Sequence, residues 1–318
     1  MMLELVSKSS EDNFTNAIGH VQTDSAKRQG LIRRLSELAS VLADEDLSHV
    51  RSLTVTIPSC TKHLPSLVEF EALRMLDFQG YPGLQGYDLN DIDELFQLKY
   101  LSLRGTLISK QPLGIVRLYG LETLDIRDTH IEELPSKIIP NGIGNMSNLR
   151  VITGFNITKS SLGALEELGN LTSLKELHVQ LHSRDGSQNF ERYEEILLSS
   201  LCKLGSCKLQ SLWIYSDNWT PLRFLDSWSP LPSSLHRFQM TTDYHLRKFP
   251  KWIAPALDSL AYLNINLAKA TEEVLGILGE MPALISLQLS IERCGANLLF
   301  EEAALPKLEK FELPFFPL

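Results

Sequence analysis

Two histidines, His178 and His182, stand at the interval that lets a helix aim both imidazoles at one metal ion. The residues around them alternate apolar and polar, as a strand does. On a strand the pair would share a face but lie roughly 13 Å apart. No metal site is expected there. The paired carboxylates Glu132-Glu133, Glu166-Glu167 and Glu301-Glu302 carry acid–base chemistry, but they fall between the strand-like stretches and read as solvated faces. Gly142-x-Gly144 lacks the third glycine and the flanking strand and helix of a dinucleotide site. There is no Gly-x-Ser-x-Gly elbow and no Gly-x-x-x-x-Gly-Lys-Ser/Thr phosphate loop. The expectation is a protein that is not an enzyme and uses no cofactor.

A different set of residues suits a different task. Tyr100, Arg104, Arg127, Trp213, Tyr215, Arg237, Tyr262 and Asn264 include the residue types enriched where proteins bind proteins. They recur at even positions of a repeated phrase. That phrase is the element that must position them.

The phrase is Leu-x-x-Leu-x-Leu. It begins at Val50, Leu73, Leu98, Leu121, Leu149, Leu174, Leu209, Leu235, Leu260, Leu284 and Leu308, at intervals of 23 to 35 residues. A period of this size marks a solenoid. If the first apolar residue is position zero, positions zero, three and five point inward. All of these slots are apolar except Gly154. Alternation with period two predicts a short strand in each repeat, and strands side by side make a parallel sheet along one wall. The expected architecture is an α/β solenoid. Its sheet would be concave and its convex return wall irregular or helical, with helices over Leu162–Leu168, Glu191–Leu201 and Glu272–Leu278. Positions two, four and six would face outward. They include Ser102, Asp125, the trio Val151, Thr153 and Phe155, and His178, Gln239, Asn266 and Gln288. Trp213, Tyr215, Arg237 and Tyr262 would then lie within two neighbouring strands of one another.

Residues 1–49 stand outside the period and read as an N-terminal cap or the remnant of a linker to a preceding domain. Residues 50–318 form the repeat domain of about eleven repeats. A formal net charge of −9 argues against a nucleic-acid surface, which needs a basic stripe. No window is apolar enough for a membrane span. The four cysteines show no metal spacing and read as reduced thiols. Five Asn-x-Ser/Thr sequons, at Asn13, Asn145, Asn156, Asn170 and Asn218, would take glycans in a secreted chain. The start of the sequence is unlike a signal peptide, so they are read as turn composition.

Leu98-Lys99-Tyr100-Leu101-Ser102-Leu103-Arg104-Gly105-Thr106 is followed by Ile108. Leu121-Glu122-Thr123-Leu124-Asp125-Ile126-Arg127-Asp128-Thr129 is followed by Ile131-Glu132-Glu133-Leu134-Pro135. This pattern resembles the leucine-rich repeats of plant intracellular nucleotide-binding, leucine-rich-repeat disease-resistance proteins, especially those of grasses. Met1-Met2-Leu3-Glu4-Leu5 and Ile32-Arg33-Arg34-Leu35-Ser36 resemble the stretch joining such repeats to the nucleotide-binding module. The resemblance covers nearly the whole chain, although Pro135–Gly144 looks shortened, as if a repeat were missing. It implies a horseshoe-shaped leucine-rich-repeat domain acting as the protein-interaction module of an immune receptor. Such a module recognises a pathogen effector or a host guardee, and holds the receptor off through its nucleotide-binding domain. A cytoplasmic or nucleo-cytoplasmic location goes with it. The alternative is a free-standing repeat scaffold, or a decoy without a signalling domain.

Overall fold

The computed structural model describes residues 46–55, 66–84, 89–108, 113–129, 142–181, 190–216, 222–230, 232–292 and 308–312. Most of the expected cap at 1–49, together with His182, Glu132-Glu133, Glu301-Glu302 and Pro135, lies outside them. The chain divides into two compact units, residues 1–154 and 155–318.

In the first unit the strands are β1 (Ser52–Thr54), β2 (Met75–Asp77), β3 (Tyr100–Ser102), β4 (Thr123–Asp125) and the start of β5 (Val151–Asn156). In the second they are β6 (Glu176–Leu181), β7 (Ser211–Ser216), β8 (Arg237–Thr241), β9 (Tyr262–Leu267), β10 (Ser286–Ile291) and β11 (Lys310–Glu312). Every strand starts two residues after the register residue read from the sequence. The described strand pairs are parallel, each strand beside its neighbour in the chain, without slippage. Leu53, Leu76, Leu101, Leu124 and Ile152 stand abreast in the first unit. Leu177, Leu212, Phe238, Leu263, Leu287 and Phe311 do so in the second. Register is held because a one-residue slip would turn every core side chain to solvent. Leu101, Leu212 and Leu263 are completely buried and Leu124 almost so. Each such side chain contributes roughly 1.5–3 kcal/mol by leaving water.

The return segments differ between the units. In the first they are single 3-10 turns: Leu67–Glu69, Ile92–Glu94, Leu113–Arg117 and Ile143–Asn145. In the second, three return segments are α-helices: α1 (Leu162–Leu168), α2 (Phe190–Gly205) and α3 (Glu272–Glu280). Ser161 caps α1 by accepting from the Ala164 N–H at 3.2 Å, and Thr271 caps α3 through Val274 at 3.3 Å. The helix expected over Glu191–Leu201 runs on to Gly205, because Leu204 continues the buried stripe of Leu197 and Leu201 for another turn. Ser200 ties α2 to α1, donating to the Leu165 carbonyl at 2.6 Å.

One expectation fails at β5. Phe155, expected on the outward face, is instead fully buried. Gly154, the single non-apolar inward slot, has φ +87 and breaks the alternation. In ordinary repeats the N–H at position five bonds a position-four carbonyl, as Phe78 does with Ser102 and Ile126 with Thr153. Beyond Gly154 the Ile157 N–H bonds the Gln180 carbonyl, so the strand carries one extra residue. The glycine is that insertion, a bulge, and Phe155 fills the core slot the glycine leaves empty.

Candidate protein-binding face

Even positions of each repeat present a row of side chains opposite the leucine core. In the first unit this face is tied up in internal pairs. Asp77, Ser102, Asp125 and Thr153 stand side by side at position four. All four are buried beneath their neighbours. Arg127 Nε donates to Asp125 Oδ1 at 2.9 Å and its Nη2 grips Asp125 Oδ2, while the Arg127 N–H bonds the same carboxylate at 3.1 Å. Burial of Asp125 pushes its carboxyl up, but the bonds from Arg127 outweigh this and hold it below the usual carboxylate range. Arg104 pairs with Asp128 at 3.3 Å, with both side chains well exposed. The Tyr100 phenol is raised by its burial and then by the nearby Asp77.

The second unit's face is larger and mostly neutral. Trp213 on β7 donates its indole N–H to Thr241 Oγ1 on β8 at 2.9 Å and meets the His178 ring of β6 edge-on at 4.7 Å. His178 in turn pairs with Glu176 at 2.8 Å. The Arg237 guanidinium carbon on β8 lies over the Tyr262 ring of β9, 4.4 Å from its centroid. Asn264 donates to Gln288 Oε1 at 2.7 Å, and the Tyr262 hydroxyl reaches the same oxygen at 3.4 Å. Asn266 is anchored on the Thr242 carbonyl. Tyr215 on β7 is 39% exposed.

Trp213, Tyr215, Arg237, Tyr262 and Asn264 therefore come together on three adjacent strands, as their repeat positions require. Tyr100, Arg104 and Arg127 lie on and beside β3 and β4 in the first unit. Periodicity placed the supporting groups Thr241, His178 and Gln288 on the outward face but not their contacts, each of which crosses 24 or more residues of chain. It also passed over Phe96 and Tyr119, which are 73% and 59% exposed. These occupy equivalent turns of successive repeats, bonded back to Glu94 and Arg117 at 2.9 and 2.8 Å. Two aromatics at the same offset before Leu98 and Leu121 were the available signal. His178 sits on a strand as expected and takes part in the Trp213 contact. Among the described residues no group of His, Cys, Asp and Glu is arranged to hold a metal ion, and no helix is long and apolar enough to cross a membrane.

Stacked parallel strands with one apolar phrase per repeat define a leucine-rich-repeat solenoid segment in each unit. The family model described as "leucine-rich repeat region" matches residues 49–318, and the chain belongs to that family. Its similarity to curated proteins points the same way. The rice (Oryza sativa subsp. japonica) disease resistance protein Pik-2 is 29% identical over 93% of this chain and 34% of its own length. The rice disease resistance protein RGA5 is 28% identical over 96% of this chain and 29% of its own. Disease resistance RPP13-like protein 4 of Arabidopsis thaliana is 32% identical over 43% of this chain and 16% of its own. The chain thus spans about a third of the length of the rice relatives. The resemblance to repeats of plant disease-resistance proteins, grasses included, is borne out. A solved leucine-rich-repeat protein from Leptospira interrogans covers 83% of this chain, and the chain 72% of it, at 18% identity and a TM-score of 0.43.

Proposed function

We propose that this chain is the recognition segment of an intracellular plant immune receptor, and that it acts by binding protein rather than by catalysis. The outward face of β7–β9 is the partner side, for a pathogen effector or a host guardee. The face around Arg104 and Arg127 is the side turned to the receptor's own nucleotide-binding domain. The cytoplasm, or cytoplasm and nucleus, is where such a receptor would work. The observation that carries this reading is the cluster Trp213, Arg237, Tyr262 and Asn264. Its rings and amides are already held by neighbours on a sheet, with Tyr215 partly exposed beside them. A preformed surface loses little side-chain entropy on binding. A partner that prefers the released receptor shifts the resting equilibrium by its difference in affinity for the two states.

The test is a receptor carrying this region with Trp213, Tyr215 and Tyr262 changed together to Ala. Partner binding should weaken at least tenfold and the triggered response should be lost, while the resting state stays silent. Arg104→Glu should instead raise resting activity without changing partner affinity. A triple variant that keeps every partner interaction removes the partner face. An Arg104→Glu receptor with unchanged resting activity removes the inhibitory assignment.

A further inference from the structure

The outward face of the second unit has an uneven charge balance. Its charged side chains at positions two, four and six are Glu176, His178, Arg237, Lys310 and Glu312. Glu176 pairs with His178 at 2.8 Å, and Lys310 with Glu312 at 2.8 Å. Arg237 is exposed and, among the described residues, has no carboxylate partner and no hydrogen-bond acceptor for its guanidinium. Its guanidinium carbon lies 4.4 Å from the centroid of the Tyr262 ring, a cation–π contact that leaves its N–H groups without an acid partner among the described residues. Ser211 lies abreast of it on β7 and Tyr262 on β9, so both strand neighbours are uncharged. Gln239 follows two residues along on the same face.

An exposed guanidinium carried over an aromatic ring, among neutral neighbours and without an acid partner among the described residues, fits a carboxylate. The fork matches both oxygens, and no neighbouring acid competes for it. Building on the partner face proposed above, we infer that Arg237 receives the carboxylate of an Asp or Glu side chain from the bound protein. The partner segment is then acidic at that point, with an apolar side chain a few residues away lying against Trp213 and Tyr215. Carboxylate recognition gives the face specificity, and the rings give it area.

A phage-displayed library of random linear peptides, panned on the full chain, tests this without a known partner. Selected peptides should share an Asp or Glu near an aromatic or aliphatic residue. In synthetic versions, changing that acid to its amide should weaken binding tenfold or more, about 1.4 kcal/mol. Against Arg237→Gln protein the acidic and amide peptides should bind equally weakly. Arg237→Lys, which keeps the charge but loses the fork and the stack, should restore only part of the difference. Arg237 is exposed, so equal melting temperatures are expected and would certify the variants.

Peptides that bind through Trp213 and Tyr215 yet show no acid preference, and ignore Arg237→Gln, overturn the carboxylate inference and leave the partner face standing. Peptides whose acid works only when replaced by phosphoserine overturn it in favour of phosphate. Peptides indifferent to Trp213→Ala and Tyr215→Ala, or no enrichment at all, overturn the partner face itself.

Discussion

Gly154→Ala should be among the most damaging single-methyl changes in this chain. An ideal Cβ at Gly154 would sit 2.5 Å from the Arg127 backbone nitrogen, 2.7 Å from the Arg127 Cα and 2.7 Å from the Ile126 carbonyl carbon. All three are backbone atoms of the chain just beyond β4, so no side chain can rotate away. The residue also holds φ +87, a conformation that costs an L side chain about 1–2 kcal/mol. Forcing apart two close-packed backbones adds about 1–3 kcal/mol. The sum, roughly 2–5 kcal/mol, is a large fraction of a typical domain's 5–15 kcal/mol. The assay is urea unfolding followed by far-UV circular dichroism, with Phe155→Ala alongside, since the bulge exists to seat that ring. Gly276→Ala is the control. That glycine lies inside α3, and a Cβ there would meet nothing within 4 Å, so alanine should stabilise by about 0.5–1 kcal/mol. If Gly154→Ala unfolds within about 0.5 kcal/mol of the parent, below the range that marks a named structural defect, the bulge argument is wrong.

Three further outcomes follow from the packing and the charges. Leu263→Ala, at a completely buried position of β9, should cost about 2–5 kcal/mol in the same unfolding assay. Asp125→Asn should cost about 1–2 kcal/mol near neutral pH by loosening Arg127. Because Asp125 is depressed in the folded chain, its contribution is present above the ordinary carboxylate range and is lost as pH falls through the folded value. The gap between Asp125→Asn and the parent should therefore close in acid, and a gap unchanged at low pH would refute the pairing. Glu194 on α2 behaves in the opposite sense. Burial raises it to about 7, against the pull of Arg223 and the backbone N–H groups of Phe224 and Arg223, and its Oε1 has no partner. The folded chain holds that proton more tightly than the unfolded one, so stability falls as pH rises from about 4.5 towards and past 7. Glu194→Gln should flatten this slope and stabilise the protein in mild alkali by roughly 1 kcal/mol, the shift being discounted for partial solvent exposure.

Much of this molecule was legible in its residues. The spacing of the leucines determined that there would be strands, where each would start, and which side chains would share a face. It could do so because a repeat makes every rung obey the same local rule, and burial of one face penalises any slip. That Trp213, Tyr215, Arg237 and Tyr262 would be neighbours followed from register alone. Tertiary structure decided what each of them does. The indole of Trp213 is committed to Thr241 and Asn264 to Gln288, while Arg237 meets the Tyr262 ring and, among the described residues, no acid. Such outcomes depend on rotamers chosen against residues a repeat or more away, to which a local periodicity is blind. Gly154 shows the same division. The sequence displayed a gap in the apolar pattern, and only the stacked backbone of the preceding repeat revealed that the gap is a bulge, with Phe155 turned inward to fill it.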